Sequence, residues 1–100
     1  MKSKDFEYIY NRVFHSAKRA LNKLSMTIEE VDEKRGTIIA STKTSFFGWG
    51  EDVSLIFKDL GNKTSVVVQS SSPSQIITWG KNEVNEDQVL EGIYRDLKGL

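Results

Sequence analysis

The chain has no cysteine, one proline (Pro73) and one histidine (His15) among its 100 residues. It therefore has no disulfide framework and no thiolate for a metal, and its stability has to come from packing. It also lacks net charge, because 14 Lys and Arg balance 14 Asp and Glu. Without an overall positive field to draw it to phosphate backbones or anionic membranes, neither nucleic acid nor membrane is an expected partner. No apolar run approaches the ~20 residues of a spanning helix. The first residues, Met1 to Phe6, carry two lysines but no apolar stretch of the kind that makes a signal peptide. Together with the missing cysteines, this makes the cytoplasm the expected location.

The pattern that is present reads as one domain over residues 1–100. Phe6, Ile9, Tyr10, Val13, Phe14, Ala17, Ala20, Leu21 and Leu24 recur at three- and four-residue steps, which predicts an amphipathic helix with Ser3 or Asp5 as its cap. From Met26 the period shortens to two. A strand through Val31, the turn Asp32 to Gly36, and further strands over Thr37 to Lys43, Asp52 to Lys58 and Thr64 to Ser70 follow. Connections this short require antiparallel neighbours. Pro73 ends the last strand, and Val89, Leu90, Ile93, Tyr94 and Leu97 mark a closing helix with Asn85 as its expected cap. The expected fold is α+β, a two-layer sandwich: a four-stranded antiparallel meander with N- and C-terminal helices on one face, in the order α-β-β-β-β-α.

Two local motifs carry a family resemblance. Gln69-Ser70-Ser71-Ser72 closes the last strand, and Thr78-Trp79-Gly80-Lys81-Asn82 precedes the last helix. With the element order, these resemble an uncharacterised bacterial domain family, domain of unknown function fourteen ninety-nine. The family pattern has Arg before its paired serines and an acid before its glycine, where this chain has Gln69 and Thr78. The resemblance implies the fold and brings no activity with it.

No residue pattern here points to catalysis, a cofactor or a metal. His15 has no second histidine or cysteine to complete a metal site. Ser70, Ser71, Ser72 and Ser74 lack a nucleophile elbow and a partner acid to orient His15 as a base, and strand-end and turn hydrogen bonding explain them better. Gly48 and Gly50 lack the lysine of a phosphate loop. What remains are two surfaces. Phe46, Phe47 and Trp49 sit in the longest hairpin connection, where either Phe47 and Trp49 cap the edge of the core together with Trp79 or the three rings form an exposed aromatic site. Strand alternation sends Val31, Ile39, Ile56 and Val67 to the side away from the helices, either as scattered exposed apolar groups or as an interface. The expected function is a noncatalytic binding or interaction module, homodimeric or with a protein partner through the open sheet face. The alternative is a small-molecule-binding protein or weak hydrolase with a cleft between the Phe46–Trp49 loop and the Ser70–Asn82 segment.

Overall fold

Lys2–Phe6 is a strand, and with it the sheet has five strands where the sequence pattern predicts four. The structure is a computed structural model that describes residues 1–42, 50–72 and 80–100. Its elements are β1 (Lys2–Phe6), α1 (Tyr10–Lys23), β2 (Thr27–Asp32), β3 (Thr37–Ser41), β4 (Asp52–Asp59), β5 (Thr64–Ser71) and α2 (Lys81–Lys98). All neighbours pair antiparallel in the order β1-β5-β4-β3-β2. The last four strands form a meander, and β1 adds itself beside β5 with Lys2 opposite Val68 and Phe6 opposite Thr64.

The correction has a physical cause. Of the five residues of β1 only Phe6 is buried, so the strand lacks the apolar alternation that announces one. Its inward positions are filled by Lys2 and Lys4, which face the helix side opposite Val68 and Val66. Lysine can take an inward position at a sheet edge because its aliphatic stem covers apolar surface while the ammonium reaches water. Phe6 consequently belongs to the sheet and not to the first helix, which starts at Tyr10 after Ile9 with no side-chain cap from Ser3 or Asp5. At the other end α2 begins at Lys81, following Gly80 at φ 81°. Asn85 is therefore inside the helix and not its cap.

Both helices pack on one face of the sheet. Val13, Phe14, Ala17, Ala20 and Leu21 of α1 and Val89, Leu90, Ile93 and Leu97 of α2 share a core with Ile38, Ala40, Val53, Leu55, Phe57, Val66 and Val68. Burying each large side chain of this set contributes about 1.5 to 3 kcal/mol. Phe14 and Phe57 pack with ring centroids 4.8 Å apart, and Tyr10 stacks on Phe14 at 5.7 Å. The phase of β2 departs from simple alternation. A bulge between Ile28 and Glu30 places Val31 opposite Ile38, on the helix side of the sheet, and not on the open face with Ile39, Ile56 and Val67.

Gly36 closes the turn between β2 and β3 at φ 74° and accepts the Phe57 amide at 2.7 Å. A Cβ there would lie 2.6 Å from the Phe57 carbonyl oxygen and 2.9 Å from the Tyr10 hydroxyl. Both the left-handed backbone and the lack of space demand glycine. Gly36→Ala should therefore cost more than about 2 kcal/mol, read as a lowered urea midpoint; an unchanged midpoint would contradict this packing.

The helices are tied by polar contacts as well. Ser16 donates its hydroxyl to the Ile93 carbonyl at 3.3 Å, and Arg19 donates through Nη2 and Nε to Asp96 at 2.8 and 3.2 Å. The Arg19 guanidinium holds the Asp96 carboxyl below the usual range, helped by Ser16 and Lys23 and opposed by partial burial. A carboxyl depressed in the folded state stabilises the fold above its unfolded value of about 3.9 and stops doing so as pH falls through the folded value. Asp96→Asn should thus cost about 1 to 2 kcal/mol at neutral pH, discounted because Arg19 is exposed. The gap between variant and parent should close on acidification below about pH 4; chemical denaturation across pH checks this, and a gap that persists in acid would refute the assignment.

Candidate functional site

Polar side chains converge at the end of the sheet where β3 and β5 finish, β4 begins and the first turns of α2 lie. Glu51 is only 5% exposed, and alternation with Val53, Leu55 and Phe57 turns it toward the helix side. Its Oε1 accepts the Thr42 hydroxyl at 3.2 Å and the Asn85 amide Nδ2 at 3.1 Å, and its own backbone amide donates to Thr42 Oγ1 at 2.9 Å. Asn85 Nδ2 also donates to Ser70 Oγ at 3.2 Å, and Ser70 donates that hydroxyl to Asn82 Oδ1 at 2.8 Å. Asn82 Nδ2 reaches Ser72 Oγ at 3.0 Å.

A second carboxylate joins through the backbone. Glu86, 2% exposed, accepts the Ser70 amide on Oε2 at 2.8 Å. Its Oε1 lies 3.0 Å from the Met1 ammonium, an ion pair without the alignment of a hydrogen bond. Glu51 differs from Glu86: among the described residues no cation partners it. Burying a carboxylate costs several kcal/mol unless its charge is compensated. Here the compensation comes from two neutral donors on a single oxygen, which leaves acceptor capacity on the group.

The cluster has a second property, its place in the chain. Thr42 and Glu51 flank residues 43–49, while Ser72 and Asn82 flank residues 73–79. Hydrogen bonds therefore join described residues that stand on either side of both segments in sequence. Phe46, Phe47, Trp49 and Trp79, the aromatic residues expected to line a site, lie in those two segments, outside the described residues.

The other expected residues are elsewhere. Ile39, Ile56 and Val67 lie on the face opposite the helices, with Ile56 paired to Val67 and 51% exposed and the other two half-buried. His15 is far from the serines. It sits 3.8 Å from Glu33 and lines a shallow cavity with Asp96 and Leu97 at the C-terminal end of α2. Ser70 is held by Asn82 at the other end of that helix, roughly 20 Å away at 1.5 Å per residue. Among the described residues no serine-histidine pair forms, and no group of His, Asp and Glu is arranged to hold a metal ion.

Glu51 and Glu86 are the residues that sequence reasoning missed, although both carry a signal. Glu51 is in phase with the inward residues of β4. Glu86 precedes Val89, Leu90 and Ile93 at helical spacing, which places it on the buried stripe of α2. A polar residue in an apolar phase is the mark of a buried network, and in this sequence the aromatic residues beside it are the louder feature.

No protein-family model matches the chain, and no curated protein matches it. Among solved structures, the crystal structure of TTHA0849 from Thermus thermophilus is 15% identical, with 98% of this chain and 96% of that chain covered at a TM-score of 0.47. A match at that score carries no argument about fold or function. No helix among the described residues is long and apolar enough to cross a membrane.

Proposed function

We propose that the protein is a noncatalytic binding module whose ligand is a small polar molecule held at the Glu51–Ser70–Asn85 end of the sheet. The observation that carries this reading is the buried Glu51 carboxylate, which among the described residues has only neutral donors, from Thr42 and from the Asn85 that also holds Ser70. An amine or hydroxyl-bearing ligand would supply the missing donor. The rings of Phe46, Phe47, Trp49 and Trp79, which the sequence assigns to the two adjoining segments, would supply apolar contact. The separation of His15 from Ser70 supports a binding role over a hydrolytic one.

A screen of amines, polyols and their conjugates by tryptophan fluorescence tests the site, since Trp49 and Trp79 stand within three residues of Glu51 and Asn82 in sequence. A hit should bind at least tenfold more weakly to Glu51→Gln, equivalent to ~1.4 kcal/mol. Unchanged affinity in that variant, or silence across the screen, would remove the reading.

A second reading is favoured by Ile56. Its exposed side chain stands next to Val67 in the middle of an uncovered face, in a rim that carries Asp5, Asp52 and Lys58. The occupant that suits this face is a second copy of the chain, because acids and a lysine on one rim can oppose each other across a twofold axis. Sedimentation at micromolar protein should show a dimer that Ile56→Lys converts to a folded monomer. A parent chain that sediments as a monomer would refute this second reading and leave the first intact.

A further inference from the structure

Five charged and aromatic side chains form a row at the opposite end of α2 from Glu51. Tyr94 and Lys98 come from the last turns of α2, Lys4 from β1, Tyr8 from the connection after it and Arg12 from the first turn of α1. Lys4 Nζ lies 4.7 Å from the Tyr94 ring centre, and Lys98 Nζ lies 5.8 Å from Tyr94 and 5.9 Å from Tyr8. Arg12 Cζ stands 4.8 Å from the Tyr8 ring. Cations and rings thus alternate: Lys4, Tyr94, Lys98, Tyr8, Arg12.

Two features separate this row from ordinary surface lysines. The rings are fixed, because Tyr8 and Tyr94 are half-buried and packed against the core, and the Tyr8 carbonyl accepts the Thr64 hydroxyl at 3.0 Å. The cations are also not neutralised. Arg19 and Lys23 give their charge to Asp96 and Lys2 gives its charge to Asp87, but among the described residues Lys4, Arg12 and Lys98 have no carboxylate within ion-pair distance. Ring faces attract a cation without cancelling its charge. Lys34 and Lys58 also lack a carboxylate partner, yet neither has an aromatic platform among the described residues.

We infer that this corner is a binding site for a ligand bearing clustered phosphate groups, with Lys4, Arg12 and Lys98 as its contacts and Tyr8 and Tyr94 as the platforms that hold them in place. Three positive charges in one row match an anion carrying two or more negative charges, and guanidinium and ammonium donors form charge-assisted hydrogen bonds to phosphate oxygens. The phosphate belongs either to a soluble compound or to a lipid headgroup, which the arms of the experiment distinguish. The site stands apart from Glu51, since Lys98 lies roughly 20 Å along α2 from the Asn85 that donates to Glu51, and does not depend on what binds there.

The test uses the full chain labelled with nitrogen-15 and titrated with inorganic pyrophosphate at constant ionic strength, with sodium chloride as the reference salt. Amide shifts should concentrate at residues 4, 8, 12, 94 and 98. Lys98→Ala and Lys4→Ala should each weaken binding at least tenfold, while Lys34→Ala should leave it unchanged. Tyr94→Leu should weaken it too, although all three cations are retained; full affinity in that variant would overturn the platform role. In a parallel arm, vesicles of phosphatidylcholine with and without phosphatidic acid are floated with the protein. Capture by phosphatidic acid that Lys98→Ala abolishes assigns the phosphate to a headgroup, and pyrophosphate binding without capture assigns it to a soluble compound. Shifts no larger than those from chloride together with no capture, or binding that survives both lysine variants, would overturn the inference.

Discussion

The close approach of the two helices at Ala20 and Gly92 governs the rest of the architecture. A Cβ on Gly92 would stand 3.2 Å from the Ala20 Cβ, so at this crossing glycine lets the backbones meet. Five strands spaced ~4.8 Å apart make a sheet ~19 Å across, and two helices of ~10 Å diameter laid side by side cover it with little to spare. If the helices stood further apart, one of them would overhang an edge and leave inward residues of β4 or β5 wet. Their contact lets Phe14, Leu21, Ile93, Leu55 and Val66 share one core, and it commits both helices to the same face. The opposite face, with Ile39, Ile56 and Val67, is uncovered by either helix for the same reason.

The parts of this arrangement that were legible in the sequence are those written in apolar periodicity. Val13, Phe14, Ala17, Ala20 and Leu21 repeat at helical spacing, and Val53, Leu55 and Phe57 at strand spacing; all are buried as the spacing requires. What was not legible is what periodicity does not encode. β1 satisfies its backbone with a partner far along the chain and fills its inward positions with lysine stems, so no local pattern separates it from a helix start. The bulge in β2 inserts one residue among Ile28, Glu29 and Glu30, all of which suit either side of an edge strand, and it carries Val31 to the other face. Asn85 has the chemistry of a cap, and only the start of α2 at Lys81 shows that it is an interior donor to Glu51.

The candidate site was half legible for a related reason. Aromatic residues beside glycines draw the eye as surface features, yet the buried polar residue that follows Phe46, Phe47 and Trp49 in sequence is Glu51. Glu51, Ser70, Asn85 and Glu86 are all buried, and each would lower the stability of an otherwise apolar core if its partners were lost. A fold that sets such groups at the meeting point of its two longest connections uses them either to hold those connections or to receive a ligand. Hydrogen bonds between the four flanks meet the first need. The charge on Glu51 exceeds what that need requires, since a glutamine at the position would accept the same two donors.

Net neutrality conceals how the charges are distributed along α2. Between Lys81 at its start and Asp96 near its end, Glu83, Glu86, Asp87 and Glu91 precede Arg95 and Lys98, the polarity that a helix dipole favours. Where an acid meets a base across elements, as at Lys2 and Asp87 or Arg19 and Asp96, the charge is spent on joining β1 or α1 to α2. Among the described residues no such acid lies within ion-pair distance of Lys98; the neighbouring positions on β1 and α1 are Lys4 and Arg12, and the intervening side chains are tyrosines. Like charges brought together at that corner repel one another, and the aromatic faces offset only part of the repulsion. An anion at that corner would relieve the repulsion, and the two tyrosines, packed against the core, give the three cations a fixed surface to lie on.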